Sequence, residues 1–551
     1  MMIERKWWKE GVVYQIYPRS FKDSTGNGVG DIEGIIQKLD YLQSLGITMI
    51  WLCPIYESPN HDNGYDISDY RKISDEFGGS TSFDRLLEAM HQRGLKLIMD
   101  LVVNHSSDEH HWFKEAKKSK DNPYHDYYIW RGDNQNQSPN NWQSFFNGSV
   151  WKWNDTTEEY FLHLFTHKQP DLNWENPKLR QEVYDIIEFW LDKGIDGLRM
   201  DVISLISKRL EFSDVPNDMP FIDVMEQVYA NGPRVHEFLK EMNDKILSKF
   251  DVVTVGEGPG VNLEHGPRYV SATEKELNMV FHFDHLTIDY GLEGKYDPVP
   301  MCFIRFKSIF SQWDKALANN GWNSIFLGNH DFSRIVSRFG NDGIYRLESS
   351  KLLVTLLMTL RGTPYIYQGD EIGMTNVSHE SISDYDDVET QNAWRAAEDK
   401  GKDMNKFMKA VHWQSRDNAR TPMQWDDTEY AGFSSAKPWI PLNENYTSIN
   451  VAAADVDQNS ILNYYRRVIA YRKANHTLIY GYFEDINPEH QQIFCYRRWD
   501  TYGEFLIVHN FSDHAVDWEN PDKTLTFQIG NYDKQNKSKL APWESRIFCK
   551  V

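Results

Sequence analysis

KLRQEVYDIIEFWLDKGIDGLRMD, residues Lys178 to Asp201, is the stretch that decides the fold. Its first part is an amphipathic helical pattern, with Leu179, Val183, Ile186, Ile187 and Trp190 recurring at helical spacing. Gly194 marks the helix end, and the short apolar run DGLRMD then closes on an acid. Seven more strand-like runs share this character: VVYQIY from Val12, ITMIWL from Ile47, KLIMDLV from Lys96, DVVTVGE from Asp251, NMVFHFD from Asn278, NSIFLGN from Asn323 and PYIYQGD from Pro364. Between several of them lie further amphipathic stretches, such as SFDRLLEAMHQRG and RVHEFLKEMNDKILSKF. Eight strands alternating with helices predict an α/β fold, a (β/α)8 TIM barrel with right-handed crossovers. An open doubly wound sheet would carry a Gly-rich phosphate turn after an early strand, and the sequence has none.

Two segments break the alternation. Residues 105–173, after the third strand, are long, polar and Trp-rich, and read as an inserted domain on the rim. Met374 to about Trp439, after the eighth strand, is rich in Asp, Asn and Arg and reads as a wall of the site. Residues 1–104 and 174–477 then make the barrel. From 478 to 551 the pattern turns to alternating β runs, QQIFCYRRW, EFLIVHNF, LTFQIG and SRIFCKV, which predict a C-terminal antiparallel β-sandwich domain.

The 551 residues carry 81 acids against 59 bases, a net charge of −22, which opposes binding to nucleic acid or anionic membranes. The four cysteines, Cys53, Cys302, Cys495 and Cys549, are scattered without a CxxC pair, so free thiols in a reducing compartment are expected. MMIERKWWKEG at the start has no apolar signal core, and no run of about 18 apolar residues occurs. A soluble, cytoplasmic protein, monomeric or weakly self-associating, is the expectation. Nineteen Trp and 29 Tyr supply flat amphipathic faces suited to sugar rings.

Three carboxylates sit at the ends of three separate strand-like runs: Asp201 in GLRMD, Glu257 in TVGE and Asp331 in FLGNHD. Parallel strands deliver such residues to one rim, where three acids can surround one reacting atom. Arg199, two residues before Asp201, shares its face and would keep that carboxylate charged, as a nucleophile requires. Glu257 follows an apolar run whose desolvation suits a general acid. His330 adds a donor for a hydroxyl. The set matches retaining glycoside hydrolysis by a carboxylate pair about 5–5.5 Å apart.

GLRMDVIS, TVGEGPGV and FLGNHDFSR, with DLVVNH from Asp100, QPDLNWENP from Gln169, GVGDIEGI from Gly28 and GTPYIYQGDEIGM from Gly362, resemble the motifs of the α-amylase superfamily, glycoside hydrolase family 13. The resemblance runs from about Gly11 to the C-terminus and is closest to the oligo-1,6-glucosidase and α-glucosidase branch, whose marker QPDLN is intact at Gln169–Asn173. It implies Asp201 as nucleophile, Glu257 as acid/base and Asp331 as transition-state stabiliser. It further implies that Asp62, Tyr65, His105, Phe165, Gln169, Arg199, His330 and Arg416 line a pocket for the terminal glucose of a small oligosaccharide. An Asp62–Arg416 pair would close that pocket and make cleavage exo-acting.

By the same resemblance, Val202 after the nucleophile goes with α-1,6 preference, where Thr goes with α-1,4, and Pro259 sits on the same side. Gly258 and Phe332 depart from the family's Met and Gln-Pro. The expected activity is hydrolysis of isomaltose and short isomalto-oligosaccharides. The rivals are an α-1,4 or mixed α-glucosidase with glucosyl transfer, a sucrose isomerase, a trehalose-6-phosphate hydrolase, and an inactive transporter partner. Last, Asp23, Thr25, Asn27, Val29 and Asp31 place oxygens at alternate positions of a Gly-rich loop, the spacing that wraps a structural Ca²⁺. No organic cofactor is expected, and His105, His110 and His111 are poorly spaced for a transition metal.

Overall fold

Each of the eight runs forms a strand in the computed structural model, which describes residues 5–550. The opening residues 1–4, part of the stretch read for a signal segment, lie outside the described residues. The strands are β1 (Val13–Ile16), β2 (Met49–Leu52), β3 (Lys96–Leu101), β4 (Gly197–Met200), β5 (Val253–Gly258), β6 (Met279–His282), β7 (Ser324–Ile325) and β8 (Thr363–Tyr367). They pair in parallel in the order β6-β5-β4-β3-β2-β1-β8-β7. The two ends of that order meet through a side chain, where Ser324 Oγ donates to the Val280 carbonyl over 2.8 Å. This clasp closes the TIM barrel.

Alternation along the strands fixes what faces inward. Val13, Met49, Trp51, Ile98, Val253, Val255, Met279, Phe281 and Tyr365 form one buried cluster inside the barrel. Tyr14, Ile50, Leu52, Leu97, Met99 and Val280, with the opposite parity, pack outward in the larger cluster that includes the helices. Gly197 sits where strands approach most closely, since a Cβ there would lie 2.6 Å from Val253 Cγ1. The quoted helix spans Pro177–Lys193, capped by the Asn176 side chain on Lys178 N and ended by left-handed Gly194.

Between β3 and β4, the inserted segment carries the helix His111–Ala116 and a three-stranded antiparallel sheet of Trp130–Arg131, Glu159–Leu162 and Trp151–Asn154. His110 caps that helix through Nδ1 on Trp112 N. After the short helix His476–Tyr480, five antiparallel strands form the C-terminal sheet, and a two-stranded sheet joins Val516–Asp517 to Lys539–Leu540. Phe494, Tyr496, Phe505 and Ile507 face the barrel cluster, while Ile493, Cys495, Leu506 and Val508 face Leu540 and Val516. Both faces of the sheet are thus covered.

Candidate active site

The inward parity that packs the barrel interior continues to its upper rim. Gln15, Asp100, Arg199, Asp201 and Glu257 are the next residues in register above Val13, Ile98, Gly197 and Val255. The rim is polar only because the sequence switches residue type at that layer. Asp331, delivered after β7, completes it. The three acids expected at strand ends therefore do meet.

Arg199 is the hub, with its side chain only 1% exposed. Its Nη1 donates to Asp100 Oδ1 and to Asp201 Oδ1, each at 2.6 Å, and its Nη2 lies 2.7 Å from Glu257 Oε1. The expected Arg199–Asp201 pair exists, but the guanidinium is shared among three carboxylates. One positive charge cannot balance three negative ones in a dry site, so the cluster retains a proton. Burial pushes the Asp201 carboxyl up, Arg199 pulls it back, and Glu257 and Asp100 push it further. Asp100 is raised by burial to about 6 despite bonds from Arg199 and Trp51 Nε1.

Glu257 has a second partner in the backbone amide of Val202, which donates to Oε2 over 3.0 Å. Val202 is 8% exposed and packs with Leu205, Tyr229, Ala230 and Phe165 on one side of the site. Asp331 is the most open of the acids, 26% exposed in its side chain against 8% for Asp201 and 7% for Glu257, so the pocket opens over it. Burial works against its charge, yet His330, Arg416 and Arg420 hold its carboxyl well below the usual carboxylate range.

Arg416 is a second hub. It donates through Nη2 to Asp62 Oδ1 and through Nη1 to Asp331 Oδ1, both at 3.2 Å, and through Nε to Asp387 Oδ1 at 2.7 Å. Arg420 adds a 2.8 Å bond to Asp331. The Phe146 ring, from the inserted segment, lies 4.8 Å from the Arg416 guanidinium carbon. Burial raises Asp62 to about 6 in spite of Arg416. Gln169 Nε2 also donates to Asp62, over 3.1 Å, which ties QPDLN to the pocket.

His330 is buried, and burial lowers its pKa to about 3, so it is neutral at working pH. Gln15 Nε2 donates to its Nδ1 at 2.8 Å, which assigns the proton to Nε2, 3.1 Å from Asp331. Tyr65 stacks on this imidazole, with ring centroids 5.2 Å apart, and its hydroxyl donates to Asp100. His105, lowered by burial to about 4, donates Nε2–H to the Tyr65 carbonyl at 3.0 Å, so its donor is engaged within the protein. Its ring centroid lies 5.1 Å from that of Phe165, which stacks in turn on Phe145.

Several residues of this site escaped the sequence reading. Asp100 was visible only as the start of DLVVNH, and Asp387 and Arg420 only as part of a polar wall. Lys208, 3% exposed in its side chain, pairs with Asp171 at 2.8 Å and donates to Asn104, whose amide reaches His105. Residues 203–231 form a further flap that bonds the inserted segment, for instance Trp142 Nε1 to the Ser213 carbonyl and Tyr229 to Gln143. No acid or basic motif marks that flap in the sequence.

The expected cation loop follows β1 and bonds the segment 433–439, where Asp23 N donates to the Phe433 carbonyl and Trp439 N to that of Gly28. Asp23 accepts from Thr25 N and Gly26 N on Oδ1, and from Gly28 N and Ser434 Oγ on Oδ2. A carboxylate offers about four lone-pair positions, and these donors together with Thr25 Oγ1 already occupy them. Asn27 Oδ1 accepts from Val29 N, while Asp31 takes Ser24 N and caps the helix Ile32–Gln37 through Gly34 N. Hydrogen bonds from the chain itself thus engage Asp23, Asn27 and Asp31 and close the loop.

A barrel rim with two guanidinium hubs and six converging carboxylates defines a glycosidase-type site. The chain belongs to the alpha-amylase catalytic-domain family, whose model matches residues 15–481. It is similar to an oligo-1,6-glucosidase of Parageobacillus thermoglucosidasius, 53% identical over 99% of both chains. A trehalose-6-phosphate hydrolase of Bacillus subtilis is 48% identical over 98% of both. Among solved structures, an isomaltulose synthase from Klebsiella superposes with a TM-score of 0.96 at 42% identity, covering 99% of each chain.

Proposed function

We propose that this protein is an exo-acting, retaining α-glucosidase that releases glucose from the non-reducing end of isomaltose and short isomalto-oligosaccharides. The observation that carries this reading is Arg416 spanning Asp62 and Asp331. Such a span supports a pocket that admits a chain end and not a chain middle. Val202 beside Asp201 supports α-1,6 linkage, as does the name of the 53% identical relative. A small oligosaccharide is the partner, and a reducing cytoplasmic compartment suits the four free thiols.

In this mechanism Glu257 gives its proton to the glycosidic oxygen while an Asp201 oxygen attacks C1 from the opposite face. The C1–O bond breaks and the aglycone leaves as an alcohol, which leaves a β-glucosyl ester on Asp201. Water then loses a proton to the Glu257 carboxylate as its oxygen displaces Asp201 from C1, and α-glucose departs. Arg199 bonds both carboxylates, the close pairing that retention requires. Asp331 bears on the ring hydroxyls and the positive charge developing at C1.

Product analysis with isomaltose, panose, maltose, trehalose and sucrose tests the assignment. Glucose from isomaltose, faster than from maltose, is expected; isomaltulose from sucrose as the main product would reassign the enzyme. Asp201→Ala should remove turnover while isomaltose still binds by calorimetry, and normal activity in that variant would sink the nucleophile.

A further inference from the structure

We propose a Zn²⁺ site on the outer edge of the pocket, formed by His61, Asp108 and Glu109. Ligand atoms of these three side chains lie within 4.8 Å of one another, and they are the one such His/Cys/Asp/Glu group among the described residues. Four-coordinate zinc at about 2.0–2.2 Å from each ligand needs donor separations of about 3.4 Å. His61 and Glu109 are exposed and their side chains can close the difference. Asp108 supplies the fixed corner. Its Oδ2 accepts from Lys168 Nζ at 3.0 Å, but its Oδ1 is buried without a hydrogen-bond partner, an acceptor that a cation would satisfy. Imidazole with two carboxylates suits Zn²⁺ and leaves a fourth position for water.

The backbone beneath all three ligands is already pinned. His61 N donates to Asp66 Oδ2 at 2.9 Å, Asp108 N to the Lys168 carbonyl at 2.8 Å, and Glu109 N to Ser107 Oγ at 3.0 Å. Only side-chain freedom is lost on binding, which favours affinity. Lys168 and Lys114, the latter 3.8 Å from Glu109, oppose a cation locally and set its competitors. The metal would join two segments, at His61 and at Asp108–Glu109, whose neighbours Asp62 and His105 line the glucose pocket. Binding there stiffens the entrance without touching Asp201, Glu257 or Asp331.

Isothermal titration of chelator-treated protein with Zn²⁺ tests the site, on native chain and on His61→Ala and Glu109→Gln. One ion per native chain is expected, with affinity at least ten-fold weaker in each variant and a Zn²⁺-dependent rise in Tm seen only in the native protein. Metal-free activity on a chromogenic α-glucoside should be unchanged in both variants, which verifies that they fold. No binding by the native chain, equal affinity in all three proteins, or loss in only one variant overturns the three-ligand site.

Discussion

Val202 donates its backbone amide to Glu257 Oε2 over 3.0 Å from a left-handed conformation, φ 36° and ψ 40°, that β-branched residues rarely adopt. Such strain costs about 1–3 kcal/mol and persists only where surrounding structure enforces it. Here the turn aims one amide at the acid and one side chain at the apolar wall beside Asp201. The residue therefore couples positioning of the acid to the shape of the aglycone side.

Val202→Thr keeps branching and backbone but puts a hydroxyl into that wall. The isomaltose-to-maltose ratio of kcat/KM should fall by about ten-fold, with Tm little changed. An unchanged ratio would remove residue 202 from the specificity argument.

Asp62 and Asp100 are both raised to about 6 by burial. Each must be ionised to pair with Arg416 or Arg199, so kcat/KM should drop as pH falls below about 6. Stability responds with the opposite sign. A carboxyl raised in the folded state contributes fully below its unfolded value of about 3.9, and that contribution is lost as pH rises through about 6. His105 and His330, at about 4 and 3, stay neutral throughout and add no limb there. A profile flat from pH 7 to 5 would contradict these environments.

Asp387→Asn should weaken both fold and pocket. Asp387 is fully buried and holds Arg416 through Nε, so neutralising it leaves a buried guanidinium short of charge. Breaking such a pair costs about 3–5 kcal/mol. A lower Tm and a raised KM for isomaltose are expected together. Native values of both would show that Asp62 and Asp331 suffice to hold Arg416.

In zinc-free protein, withdrawing Ca²⁺ should leave Tm where it is. Asp23 already has five donors from its own chain, and we propose that the loop stands without an ion. Ser434→Ala removes one of those donors and should lower Tm by a net loss of about 1–3 kcal/mol, because Asp23 is charged. A fall in Tm with EDTA, reversed by Ca²⁺, would restore the cation reading.

Much of this fold was legible in the sequence because its signals are local. All eight strand runs recur where Val, Ile and aromatic residues cluster, and the acids Asp201 and Glu257 follow from the alternation along β4 and β5. The Asp62–Arg416 pair was reachable only through family resemblance, since 354 positions separate the partners. Asp387, Arg420 and Lys208 were illegible for the same reason. Their roles depend on which distant charge they meet, and a polar stretch reads alike whether it faces solvent or a guanidinium. The Tyr65 ring, expected as a sugar platform, already stacks on His330, a partner fixed by the closing of the barrel.

That closing is uneven. Seven joints of the barrel are backbone ladders, but β6 and β7 are held by Ser324 on the Val280 carbonyl. Mechanically the barrel is a rolled sheet with a buckle, and warming should loosen it there first. Asp201 and Glu257 ride on the continuous side, whereas Asp331 and His330 hang from the buckled strand. Hydrogen exchange on heating should therefore quicken around Ser324 before β4 or β5, and the enzyme should lose grip on its sugar while its nucleophile and acid still stand in register.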